Sequence, residues 1–445
     1  MKPSLCFLPL LVLALGCGSD SNDTPGGGSD TPDIVNGVQV QDGVARLTSA
    51  LERRQPELGA ADLRELVADN TRFAFDLYAE LGSGAPEKNL FCSPHSISTA
   101  MAMAYVGART DTKDALASAL HFAQTDDTLH QGFNALDRAL GERQRPAEGD
   151  RPGLTLRVSN DIWASQVEHE RPLPAFVDAL ALDYRSRVSL VNFGNEPEAR
   201  GTINKEVSRQ TEGKIENLLA LGIITPGVTT MILTNSIYFK GAWAQPFEKA
   251  KTQPAPFTNL DGSTSEVRMM EVSESFAYAE TAELQVVRLP YTGGETALTV
   301  LLPKSDFAAV EASFDAARLQ ALRAQLAPSF ARVRLPAFSM RSALRLKGPL
   351  QALGMDAGFE DSPRGYDFSG IGPAIEFISE VVHEAFIDVN EEGTEAGAAT
   401  AVVFGRESAP LAPELQFVAD RPFLVVLEDV PTGAVLFAGR YVTAE

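Results

Sequence analysis

The chain has 445 residues, 44% of them hydrophobic and 22% charged, with a formal net charge of −21. That length supplies one large domain or two to three ordinary ones, with ample material for a core. The acidic surplus disfavours nucleic acid and anionic membrane surfaces as partners.

In chain order, the amino terminus reads as a targeting segment. Lys2 precedes an apolar run over residues 5–15 that is too short to span a bilayer, and small residues lead into Cys17. Leu13-Ala14-Leu15-Gly16-Cys17 resembles a bacterial lipobox. That implies a signal peptide over residues 1–16, lipidation of Cys17 and anchoring in a bacterial cell envelope. A plain secretory signal is the alternative. Residues 17–33, rich in Gly, Ser, Asp and Thr, form a flexible tether. The chain has three cysteines, Cys6, Cys17 and Cys92. Cys6 lies in the signal, so Cys92 has no disulfide partner, and its context Leu90-Phe91 predicts a buried core thiol.

Residues 34–63 predict an extension, either an amphipathic segment or a strand pair, and residues 64–445 a single domain. Leu66, Val67, Phe73, Ala74, Leu77, Tyr78 and Leu81 recur at helical spacing, and residues 82–86 stop the helix. A second, mostly apolar helix is expected over 97–106 after Ser93-Pro94, and a third over 110–120, capped by Thr110 or Asp111. Strand-like runs follow at 154–163, 188–193, 231–238, 284–289, 297–302, 331–335, 381–389, 423–428 and 435–441. Helical patterns fall at 197–211, 307–326 and 346–353. Helices early and strands late, without β-α alternation, indicate an α+β fold.

Residues 389–403 run from a strand-like segment through Gly393 into alanines and β-branched residues without a proline. With period two, Thr394, Ala396, Ala398, Thr400, Val402 and Phe404 share one uncharged face. The segment suits an exposed loop and equally a buried strand, since no residue in it lacks a ladder donor. An Ala-rich connector between two strands is the plain alternative. The chain contains no Gly-x-Ser-x-Gly elbow, His-Glu-x-x-His, complete phosphate loop or Cys-x-x-Cys, so nothing in it marks an enzyme.

Glu391-Glu392-Gly393-Thr394-Glu395-Ala396 resembles the proximal hinge of the serpins. The resemblance extends to Asn89-Leu90-Phe91-Cys92-Ser93-Pro94-His95-Ser96-Ile97-Ser98 and to Thr234-Asn235-Ser236-Ile237-Tyr238-Phe239-Lys240-Gly241-Ala242-Trp243. Asp367-Phe368-Ser369-Gly370-Ile371, Arg421-Pro422-Phe423-Leu424 and Leu436-Phe437-Ala438-Gly439-Arg440 complete the set, in family order.

This resemblance implies helices around a large central mixed sheet and two smaller antiparallel sheets, with an exposed reactive centre loop. It implies suicide inhibition of a serine protease, or of a cysteine protease, by a monomer that needs no cofactor or metal. Non-inhibitory carriage is the alternative use of the same fold. The hinge would comprise Glu391, Gly393, Thr394, Glu395, Ala396, Gly397, Ala398, Ala399 and Thr400. Ser93, Ser96, Asn235 and His383 would form a polar cluster where the sheet opens, with Trp243 near the top. Read alone, His383 is a satisfied histidine in a strand and Trp243 a core aromatic. Counting from Glu391 places the scissile bond at Glu407-Ser408, and a loop one residue shorter at Arg406-Glu407; Phe404 is a third bait. Relatives pair the anchoring glutamate with a lysine after Leu-Pro. Here Ala337 follows Leu335-Pro336, so the partner of Glu391 stays open.

Overall fold

The computed structural model describes residues 34–35, 37–147, 153–359, 365–394 and 415–444. Residues 1–33, which hold the expected signal, Cys17 and tether, lie outside them. The described chain opens with strands β1 (Ile34–Val35), β2 (Val38–Gln41) and β3 (Val44–Leu47), then α1 (Ala60–Ser83), β4 (Leu90–Cys92), α2 (Pro94–Tyr105), α3 (Thr110–Ala119) and α4 (Asp126–Gly141). Next come β5 (Leu154–Ser165), α5 (Pro174–Asp183), β6 (Val188–Val191), α6 (Glu196–Gln210), β7 (Met231–Ala242), β8 (Gln253–Thr258), β9 (Thr264–Glu280), β10 (Leu284–Pro290) and β11 (Thr296–Pro303). The remaining α-helices and strands are α7 (Phe307–Ala312), α8 (Ala316–Gln325), β12 (Ala327–Pro336), β13 (Phe338–Arg345), α9 (Lys347–Leu350), β14 (Glu380–Val389), β15 (Gly393–Thr394), β16 (Leu415–Val418), β17 (Phe423–Asp429) and β18 (Ala434–Tyr441).

Local chemistry sets several boundaries. Helix α1 starts earlier than its apolar periodicity, because the Asp62 carboxylate accepts from the Gly59 amide at 3.1 Å. Ser93 caps α2: its Oγ accepts from the Ser96 amide at 3.3 Å, and Pro94 follows where no donor is needed. The expected cap of α3 is not there. Arg109 occupies that position, and the Thr110 hydroxyl turns instead to Asp367 at 3.2 Å. The single helix expected over 307–326 is two, because Asp315 accepts from the Arg318 amide and restarts the chain as α8. The strand-like and helical patterns of the sequence do not mark α4, α5, β4, β8, β9, β13, β15 or β16.

Two sheets organise the molecule. The main one has the order β1-β2-β3-β6-β5-β7-β15-β14-β13 and mixes parallel with antiparallel pairs. Residues 34–47 are therefore not a separate strand pair but three strands added to its β6 edge. The two smaller antiparallel sheets expected by resemblance are two ends of one ladder, joined because β9 runs 17 residues and pairs with β8, β12 and β10. One pair in it is parallel, β12 with β16.

One face of the main sheet packs on the second sheet and on α1 and α2. Helix α6 and the segment after it cover the other face around Trp163, Ile232 and Val382. Cys92 is fully buried, and burial pushes its thiol up to about 12.

Candidate functional site

The site is the seam between β7 and β14. In its lower part the strands pair directly and in parallel, from Glu380 opposite Ile232 to Ala385 opposite Ile237. Above that the ladder stops. At the top, β15 lies between them, with Thr394 opposite Gly241 on one side and Val389 on the other. Tyr238, Phe239 and Lys240 of β7 and Phe386, Ile387 and Asp388 of β14 thus face a slot bounded below by the direct ladder and above by β15. At this level β7 pairs with β5 and β14 with β13, and among the described residues the two strands do not pair with each other. Two strands separated in this way can receive one more strand between them.

A row of polar side chains crosses the seam below the slot. Asn160, Asn235 and His383 occupy the same register on β5, β7 and β14. The Ser93 amide donates to His383 Nε2 at 3.1 Å, so Nδ1 carries the proton and donates to Asn235 Oδ1. The Asn235 amide group donates to Ser96 Oγ and to Asn160 Oδ1. The Ser96 hydroxyl also reaches Asn160 Oδ1 at 3.1 Å, and the Ser93 hydroxyl donates to the Leu436 carbonyl at 2.7 Å. Burial holds His383 neutral, its pKa lowered to about 3. The four residues named from the sequence are thus in one network. Asn160 is the member the sequence reading passed over, although a polar residue amid the strand-like run 154–163 was a signal for it.

The top of the seam is built around Trp243. Its ring stacks on Tyr291 with centroids 4.5 Å apart, and its indole nitrogen donates to the Asn390 carbonyl at 2.9 Å. Its amide donates to the Glu392 carbonyl at 2.9 Å. The Tyr291 hydroxyl meets Thr394 Oγ1 at 2.7 Å, and both residues are almost wholly buried. Gly393 is required where it stands, because a Cβ there would lie 2.1 Å from the Gly241 carbonyl oxygen.

The open question of Glu391 has a definite answer. Its carboxylate pairs with Arg268 of β9, and the Arg268 carbonyl accepts from the Ala337 amide at 2.8 Å. The cation has moved across one rung to the neighbouring strand. Burial pushes the Glu391 carboxyl up, but hydrogen bonds and the Arg268 charge outweigh it and hold the group below its usual range. Lys249 pairs with the adjoining Glu392. Arg268 escaped the sequence reading because β9 itself did.

Glu395, Ala396, Gly397, Ala398, Ala399 and Thr400 lie outside the described residues, as do Phe404, Arg406, Glu407 and Ser408. Among the described residues no cluster of His, Cys, Asp and Glu is placed to hold a metal ion, and no helix is long and apolar enough to cross a membrane.

The family model described as serpin (serine protease inhibitor) matches residues 68–444. A leukocyte elastase inhibitor from Bos taurus is 36% identical over 390 residues, covering 85% of this chain and 99% of that protein. Human thyroxine-binding globulin, solved with bound thyroxine, superposes with a TM-score of 0.75 at 27% identity, over 86% of this chain and 99% of that one. The thermophilic serpin tengpin in its native state gives a TM-score of 0.78 at 23% identity, over 90% of this chain and 100% of its own.

Proposed function

The chain belongs to the serpin family, and we propose that it traps a serine protease, or a cysteine protease, through cleavage of the segment that follows Thr394. The observation that carries this reading is the slot below β15. Thr394 already occupies the first rung, and three residues of β7 face three of β14 immediately beneath it. Residues after Thr394 that continue downward would pair with both edges. Alternation then directs Ala396, Ala398 and Thr400 to the buried face that Thr394 occupies, and these side chains are small and uncharged.

The protease nucleophile attacks the carbonyl carbon of the bait residue. An ester or thioester forms, the peptide bond breaks, and the released amine takes the proton. With the bond cut, the loop is free to enter the seam. Past the slot it must unzip the direct ladder from Ala385–Ile237 down through His383–Asn235. The new strand replaces one set of ladder bonds with two and carries the acylated protease with it. The uncleaved sheet is therefore metastable.

Mixing the soluble chain with trypsin, chymotrypsin and a glutamyl endopeptidase tests this. A denaturant-stable band at the summed mass supports trapping, and a released peptide beginning at Glu407 or at Ser408 identifies the bond. A second reading, a binding or carrier protein, takes support from the likeness to thyroxine-binding globulin. Clipping of the loop by every protease without trapping would favour it.

The lipobox-like Leu13-Ala14-Leu15-Gly16-Cys17 supports placement on a bacterial membrane through acylated Cys17. Cys17→Ala should then release the protein into the soluble fraction, and continued membrane association would refute the anchor.

A further inference from the structure

Residues 34–47 precede the span that the family model matches. The family model begins at residue 68, yet β1, β2 and β3 extend the sheet that has to open. Their attachment is not confined to that edge. Arg46 of β3 is buried and pairs with buried Glu206 of α6 at 2.8 Å, while its other nitrogen donates to the Gln41 carbonyl at 2.8 Å. Val44 of β3 joins the apolar cluster formed by Ile203 and Val207 of α6.

That cluster also contains Ile232 of β7 and Val382 of β14, so α6 and its neighbours pack across both sides of the seam. The segment after α6 is held from the far side as well, where Arg341 of β13 donates to the Lys214 carbonyl at 2.7 Å. A strand entering the seam drives β7 and β14 apart by about 4.8 Å. The α6 layer cannot then keep its contacts on both sides. A buried ion pair adds little net stability but fixes one arrangement. Glu206 also accepts from Arg209 of its own helix at 2.7 and 3.0 Å, so losing Arg46 unties β3 from α6 while the carboxylate keeps a partner.

We infer that the amino-terminal ribbon is a brake on loop insertion: Arg46, through Glu206, ties α6 to the β3-β6-β5-β7 half of the sheet, so that opening must strip the α6 layer from β14. This rests on the insertion reading above, and it assigns residues outside the family's matched span a role in setting how long the uncleaved state lasts.

The test follows the uncleaved protein at elevated temperature and scores the fraction that no longer unfolds in concentrated urea, as a loop-inserted form would resist it. Arg46→Met should convert about tenfold faster than wild type or more. Arg46→Lys should fall between. Arg54→Ala serves as control, because Arg54 pairs with Asp183 at the end of α5 and with Asp127 of α4, away from α6; it should stay within about twofold. Should R46M fail to fold, E206Q, which keeps the shape of the side chain, carries the same expectation. Equal conversion of R46M and wild type, including none in either, overturns the brake. So does equal acceleration by R54A, which would mean general destabilisation. A separate arm cleaves the wild-type loop with trypsin: if the cleaved protein gains no heat resistance, the insertion reading itself falls and the brake with it. If it gains resistance and R46M still converts at the wild-type rate, only the brake falls.

Discussion

Asn235 and His383 stand directly opposite each other on β7 and β14 and share a hydrogen bond from Nδ1 to Oδ1 across the seam. The imidazole closes the lower sheet on one side and receives the Ser93 amide at 3.1 Å on the other. One side chain therefore ties the opening edge to the start of α2.

His383→Ala should destabilise the uncleaved protein by about 2–4 kcal/mol, since it leaves the Ser93 amide and the Asn235 carbonyl oxygen buried without a partner and opens a cavity. Urea unfolding measures it. An unchanged midpoint would remove the network from any account of stability.

Acid should weaken the uncleaved state in a defined window. Burial lowers His383 to about 3, and His95 and His130 to about 4, whereas an unfolded histidine titrates near 6.5. Below that value the unfolded chain binds more protons than the folded one. Stability is thus complete above about pH 6.5 and declines as pH falls toward 4 and then 3. A urea midpoint that stays level from pH 7 to pH 5 contradicts this, because few carboxylates titrate there.

Thr394→Arg should turn an inhibitor into a substrate. The position is 1% exposed, between β7 and β14 and against Tyr291, and a guanidinium there would be buried without a counter-charge. Gels that resolve trapped complex from clipped chain should show clipping dominate. Undiminished trapping would mean that insertion does not pass through this rung.

Arg268→Ala should cost about 1 kcal/mol or less, because the guanidinium is two-thirds exposed even though Glu391 is buried. Adding Ala337→Lys to R268A should recover most of the loss, since Ala337, between β12 and β13, donates its amide to the Arg268 carbonyl and so lies beside it. Failure of the double variant to recover would show that Glu391 needs the β9 cation in particular.

The legibility of this chain was uneven for physical reasons. Helix α2 could be read from Ser93-Pro94 and a run of buried residues, and β14 from its apolar pattern, because burial on nearly every face leaves an unmistakable composition. Strand β9 could not. Its seventeen residues mix exposed and buried positions irregularly, since different stretches pair with β8, β12 and β10. With β9 missing, Arg268 had no place beside Glu391. The ribbon was equally opaque: a four-residue strand such as β3 signals little until β6 supplies the edge on which it pairs.

By itself the sequence determined the order of its motifs, the absence of proline and bulky charge on the Thr394-to-Phe404 face, and the residue types of the polar cluster. These are local properties, set by side-chain chemistry and period. Only the tertiary structure decided that Asn160, Asn235 and His383 share one row, that Arg268 holds Glu391, and that Arg46 reaches Glu206. Each joins strands or helices more than seventy residues apart in the chain, as Asn160 and Asn235 show with a separation of 75. Such pairings depend on register across a sheet, and a register is chosen by all the contacts of the strands together, not by the residues that end up side by side.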